Sequence, residues 1–289
     1  MAAPRGHGLH PNVVALGAIA LWSSVAALGV ALRHVPPFLL TGLALVIGSI
    51  PAWPLVRRWR VAPRVLLLGV YGLFGFHFLL FVALRVAPPV EANLVNYLWP
   101  LLIVVLAPVL LPGIRLRPHH VTAALMGFAG AAIAILGARG PGGLQGWSWG
   151  YLPALGSAFV WSTYSLLTKR AGHFPTAAIG LFGLVSGVLS LACHALLEPS
   201  VDLVPHDWLL LAVMGLGPLG AAFFLWDRAL KHGDARQIGI LSYITPLAST
   251  ALLLLVTQRP PSWSILAATL LIVAGAVLGT RADRHAGAA

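Results

Sequence analysis

The six residues Asn96-Tyr97-Leu98-Trp99-Pro100-Leu101 return 146 positions later as Ser242-Tyr243-Ile244-Thr245-Pro246-Leu247. Ala83-Leu84-Arg85 returns at the same offset as Ala229-Leu230-Lys231. Upstream, Ala15-Leu16-Gly17 and Trp22-Ser23-Ser24 return 139 positions on as Ala154-Leu155-Gly156 and Trp161-Ser162-Thr163. Gly130-Ala131-Ala132 is echoed by Gly275-Ala276-Val277. Short apolar words match by chance, but ordered matches at nearly one spacing do not, so the chain reads as two copies of one unit, over 12–137 and 148–280.

Each unit is predicted to lie in a membrane. Of the 289 residues 59% are hydrophobic and only 9% charged, against about a quarter charged in a soluble domain. Ten stretches of at least 19 residues carry no Lys, Arg, Asp or Glu: 6–32, 34–56, 65–84, 92–114, 118–138, 140–168, 171–197, 208–226, 237–258 and 260–280. Each is long enough to cross ~30 Å of hydrocarbon as a helix. Helix is the default there, because lipid offers no partner to open backbone and the alternation of a barrel strand is missing. The expected fold is an all-α integral membrane protein of ten transmembrane helices. Five spans per unit is an odd number, so the second copy enters the membrane inverted, giving two inverted five-helix repeats around a central cavity. The first stretch feeds directly into further spans and is expected to be retained rather than cleaved. A single cysteine, Cys193, excludes an internal disulfide and a multi-cysteine metal site, and no cofactor or metal is expected.

The net charge of +11 would suggest nucleic acid in a soluble protein. Laid on ten spans with a cytoplasmic amino terminus, 14 of the 18 basic residues fall inside. The outer segments keep Arg33, Arg85, Arg139 and Arg259, balanced by Glu91, Glu198, Asp202 and Asp207. The positive-inside rule therefore absorbs the whole excess, and places both termini in the cytoplasm. No nucleic-acid partner is expected; the partners are the bilayer and a small molecule, and the chain is expected to act as a monomer.

Ten spans with paired Trp-Ser-Ser/Thr and Tyr-x-x-Pro words resemble the EamA-type branch of the drug/metabolite transporter superfamily, over essentially the whole chain. A histidine in the third span, His77, together with Asn-Tyr-Leu-Trp-Pro in the fourth, is similar to the YddG amino acid exporters. The resemblance implies an inner-membrane exporter of aromatic and other neutral amino acids. It also implies a cavity formed mainly by spans one, three, four, six, eight and nine.

The residues themselves point the same way. Asn93, Asn96, Tyr97 and Pro100 stand at i, i+3, i+4 and i+7, which sets two amides and a phenol on one helix face. Pro100 lacks an N–H and so frees the carbonyl of Asn96, an acceptor suited to an ammonium; Pro246 does the same for Ser242. Both prolines are candidate kinks or gates, and a packing kink is the plainer reading. His77 can change charge near neutral pH and could hold a carboxylate or relay a proton, although the same position suits an interhelical hydrogen bond. Trp22, Trp99 and Trp161 sit deeper than the interfacial belt and are candidate cavity walls, with Ser162 and Tyr243 beside them. Trp53, Trp59, Trp147, Trp149, Trp208 and Trp263 lie near loops and read as interfacial anchors.

Absences narrow the cargo. No Lys or Arg lies within a span to meet a phosphate, and no mid-membrane glutamate marks an organic-cation site. Proton exchange and facilitated diffusion both fit. A broader drug, metabolite or nucleoside exporter of the same superfamily is the alternative. An intramembrane enzyme is the reading from another class, yet its nearest nucleophile and base, Ser186 and His194, stand two helical turns apart.

Overall fold

The computed structural model describes residues 9–137, 148–171, 174–257 and 263–286. Among these, seven helices are long and apolar enough to cross a membrane: Pro11–Ala31, Pro37–Trp59, Pro63–Val86, Pro89–Leu110, Pro118–Leu136, Ala178–Leu197 and Pro205–His232. Six of the seven begin on proline, whose missing N–H costs nothing in a first turn and whose fixed φ suits a helix start. A shorter apolar helix covers Trp263–Gly279. The protein is an all-helical, multi-pass membrane protein.

Tyr151–Arg170 is as long as these but less apolar, and its environment explains the difference. Ser157, Ser162, Thr163, Ser165 and Thr168 are all buried. Ser162, Thr163 and Thr168 return their hydroxyls to carbonyls four residues back, at 2.6, 2.7 and 2.9 Å. Of its apolar side chains only a narrow stripe, Leu152, Leu155 and Phe159, is exposed, and the rest pack inside the bundle. The outer helices show the converse, with Leu67, Val109, Leu196 and Leu270 each more than two-thirds exposed, a surface suited to lipid tails rather than water.

Several helices are interrupted, and the interruptions recur. A π-turn spans Tyr71–Gly75 inside Pro63–Val86, and another spans Gly217–Ala221 inside Pro205–His232. The helix beginning at Pro89 breaks after Asn96 and resumes at Trp99; the one beginning at Ala235 breaks after Leu241 and resumes at Ile244. Both breaks in the second half fall about 146 residues after their counterparts, the spacing of the repeated words.

Polar contacts define two ends of the bundle. At one end the buried Glu198 carboxylate accepts the backbone N–H of Phe38 and Leu39 at 3.0 and 3.1 Å, and meets Arg85 at 2.6 Å and His194 at 3.0 Å. At the other, Lys169 Nζ donates to the carbonyls of Leu230 and Gly233 at 2.7 and 2.5 Å, and Lys231 meets Asp227 at 2.7 Å. Pro11–Ala31 runs from the Lys169 end to the Glu198 end, because Asn12 bonds Gln237 and the 32–37 turn leads to Phe38. Tyr151–Arg170 runs the opposite way, from Ser148 on the carbonyl of Val86 to Lys169. Between the ends, Pro37–Trp59 packs on Ala178–Leu197 and on Pro205–His232. A Cβ added at Gly48 would lie 2.6 Å from the carbonyl oxygen of Gly215 and 2.9 Å from Cα of Gly220, so only glycine lets these backbones touch.

Of the tryptophans read as interfacial anchors, Trp53, Trp149, Trp208 and Trp263 are exposed and Trp59 is half-buried, while Trp147 lies outside the described residues.

Candidate functional site

A cavity of about 430 Å³ lies inside the bundle, within the ~300–1,000 Å³ that small-molecule sites occupy. It is lined from Pro11–Ala31, Pro63–Val86, Pro89–Leu110, Tyr151–Arg170, Pro205–His232 and Ile244–Thr257, and also from Pro37–Trp59 through Pro37, Leu40 and Thr41. The 32–37 turn contributes Leu32, Arg33 and Val35, so the cavity opens toward the Glu198 end.

Its floor is tryptophan. The Trp22 ring lies 5.7 Å from Trp161, 6.4 Å from Trp99 and 5.1 Å from Trp226, and Trp99 lies 5.7 Å from Trp226. Edge-on and tilted pairs of this kind suit the ring quadrupoles and add about 0.5–1.5 kcal/mol each beyond area burial. Trp226 is fully buried and its indole N–H is spent on Ser165 Oγ at 3.1 Å, so it closes the floor rather than meeting a guest. The Trp22 N–H is spent as well, on the carbonyl of Pro218 in the π-turn, at 3.0 Å. Among the described residues nothing bonds the indole N–H of Trp99 or Trp161, and both donors are left to the cavity. Phe76 and Phe223, 5.3 and 5.7 Å from Trp161, extend the aromatic wall.

The opposite wall is polar. Asn93, Asn96 and Tyr97 all line it. Ser157 Oγ lies 2.8 Å from Asn96 Oδ1, which fixes one side of that amide and leaves the other for a guest. Thr245 adds a buried hydroxyl without a partner. His77 joins the two walls, its ring edge-on to Phe76 at 5.0 Å. Its Nδ1 lies 2.6 Å from the carbonyl oxygen of Leu73, which can only accept, so Nδ1 carries the hydrogen. In the neutral ring Nε2 is then an acceptor fit for an ammonium; in the protonated ring it is a donor fit for a carboxylate.

Seven of the sequence-derived site residues therefore meet at the cavity: Trp22, His77, Asn93, Asn96, Tyr97, Trp99 and Trp161. Two do not line it. Ser162 is buried, 2.8 Å from the carbonyl oxygen of Trp99 and 2.6 Å from that of Ala158, holding Trp99 in place. Tyr243 is fully buried elsewhere, against Phe128 and over Gly127, where an added Cβ would fall 2.3 Å from its ring. Pro100 and Pro246 sit one turn past the two helix breaks. The residues missed are Trp226, Phe223, Met214, Pro218 and Thr245. Thr245 had a signal, since it occupies the place of Trp99 in the second repeat word. Ser186 and His194 form no pair: Ser186 Oγ is buried without a partner, and His194 turns to Glu198.

The cavity, the paired interruptions and the lipid-facing exterior define a membrane carrier, and comparison with known proteins gives the family. Residues 11–136 and 148–281 each match the EamA-like transporter family, and the chain belongs to it. It is 44% identical to the aromatic amino acid exporter YddG of Ancylobacter novellus over 95% of this chain and 98% of that one. The proteins of the same name from Salmonella typhimurium and Escherichia coli are 28% and 26% identical, each over 95% of this chain. A solved crystal structure superposes with a TM-score of 0.89 at 42% identity, covering 95% of this chain and 98% of that one.

Proposed function

We propose that this protein is an inner-membrane exporter of aromatic and other neutral amino acids that works by alternating access. The observation that carries the reading is the two-sided cavity. An apolar or aromatic side chain fits the Trp22, Trp99 and Trp161 wall, while the zwitterionic head fits Asn93, Asn96, Tyr97, Thr245 and the free nitrogen of His77. No carboxylate lines the cavity among the described residues, which favours a neutral or zwitterionic guest over a cationic drug.

In this reading ten spans form two inverted five-helix halves, 12–137 and 148–280, with both termini cytoplasmic. Supporting it are the opposite directions of Pro11–Ala31 and Tyr151–Arg170 and the recurrence of the π-turns and helix breaks. Two similar halves that pack in either of two ways give states of nearly equal energy, which alternating access requires. The basic Lys169 end is the cytoplasmic one, and the cavity faces outward.

Counterflow in proteoliposomes tests the proposal. Labelled phenylalanine is expected to enter vesicles preloaded with phenylalanine in a saturable manner, with Trp161→Ala slowing entry at least ten-fold. Uptake indistinguishable from empty liposomes, across amino acids, nucleosides and drugs, would reject it.

A further inference from the structure

Arg33 stands in the turn after Pro11–Ala31, exposed, and lines the mouth of the cavity. Among the described lining residues it is the one permanent charge. It is also uncompensated among the described residues, and two of the acids at this end are already engaged elsewhere. Glu198 is saturated by two backbone N–H groups, Arg85 and His194. Asp207, the acid nearest the turn, is taken by the neighbouring His34 at 3.1 Å and by the N–H of Val204 at 3.0 Å. Among the described residues the guanidinium of Arg33 has no ion pair or hydrogen bond.

A free guanidinium at the rim of a low-dielectric hollow focuses its field inward and attracts anionic groups. Its planar fork matches a carboxylate in two-point geometry. The deeper polar wall of amides and hydroxyls carries no fixed charge, so the carboxylate of a zwitterion meets its first full counter-charge at the mouth. We propose that Arg33 is a specificity-determining residue, a carboxylate-docking station on the path between the tryptophan floor and the outer face. This rests on the export reading above and deepens it: the cargo is selected as a carboxylate, not merely as an aromatic.

The test uses the full-length protein in proteoliposomes of one orientation. Counterflow of labelled phenylalanine is competed, first from the Arg33 side and then from the opposite side, by phenylalanine and by its uncharged-carboxyl analogue phenylalaninamide. The wild type is expected to prefer the acid from the Arg33 side. R33Q is expected to raise half-saturation by phenylalanine on that side by roughly ten-fold, the scale of one partly solvated ion pair, and to erase the acid-over-amide preference. R33K should restore most of the preference, and raising ionic strength should shrink it. If the wild type carries phenylalanine and R33Q keeps the preference, or weakens acid and amide alike from both sides, the docking role is overturned while export stands. A wild type that carries no amino acid overturns both.

Discussion

The indole N–H of Trp22 donates to the carbonyl of Pro218 across 3.0 Å, joining the middle of Pro11–Ala31 to the π-turn of Pro205–His232. One residue belongs to the aromatic floor and the other to an interruption of the helix facing it. The floor is therefore tied to a π-turn, an interruption of the kind that often occurs at functional sites. Trp22→Phe keeps the ring packing and removes the donor, and should lower stability by about 1 kcal/mol, read as a small drop in melting temperature in detergent. Trp22→Ala removes the wall as well, costs about 3–5 kcal/mol at a packed site, and should abolish counterflow.

Gly72 carries a close approach of the same kind. A Cβ there would lie 2.2 Å from the ring of Tyr164, whereas one at Gly29 meets nothing within 4 Å. Gly72→Ala should cost about 1–3 kcal/mol by overpacking, and Gly29→Ala should be neutral or slightly stabilising. Paired thermal-denaturation curves check the contrast.

At the Glu198 end the two partners of one ion pair are not equivalent. The Glu198 side chain is fully buried and accepts four donors; Arg85 is 38% exposed. Glu198→Gln should cost about 1–3 kcal/mol because backbone N–H groups of the helix beginning at Pro37 lose a charged acceptor. Arg85→Gln, discounted for solvent, should cost under about 1 kcal/mol. Equal losses on denaturation would contradict this ranking.

At the opposite end Lys169 caps two carbonyls where Pro205–His232 terminates. Lys169→Met keeps the length and strips the charge, leaving those carbonyls open to water. The expected result is looser closure, seen as faster hydrogen exchange of the 230–237 segment with the Glu198 end unchanged.

Much of this site was legible in the sequence because tryptophan, asparagine and histidine are costly in lipid unless a cavity receives them, which picks out Trp22, Trp99, Trp161, Asn93, Asn96 and His77. The repeat words likewise marked both helix breaks. What they did not give is helix phase. Tyr243 repeats Tyr97 in sequence, yet its ring turns to Gly127 and away from the cavity, while Thr245 turns toward it. Nothing in the sequence singles out Trp226; only packing shows that its N–H reaches Ser165 beneath the floor. The π-turns are equally hidden, since glycines at 72, 75, 217 and 220 are as consistent with close packing. The hydroxyl-rich Tyr151–Arg170 shows the converse, with low apolarity on the broad face that packs inside the bundle and, of its apolar side chains, only Leu152, Leu155 and Phe159 exposed.

Access to the cavity tests the account most directly. Cys193 is the chain's single cysteine, so Cys193→Ser gives a blank background into which Leu80→Cys places a thiol on the cavity wall. Labelling by a membrane-impermeant thiol reagent applied from the Arg33 side should be rapid in the empty protein and several-fold slower with saturating phenylalanine. A thiol that stays unlabelled from that side, or labels at one rate with and without the amino acid, would contradict it.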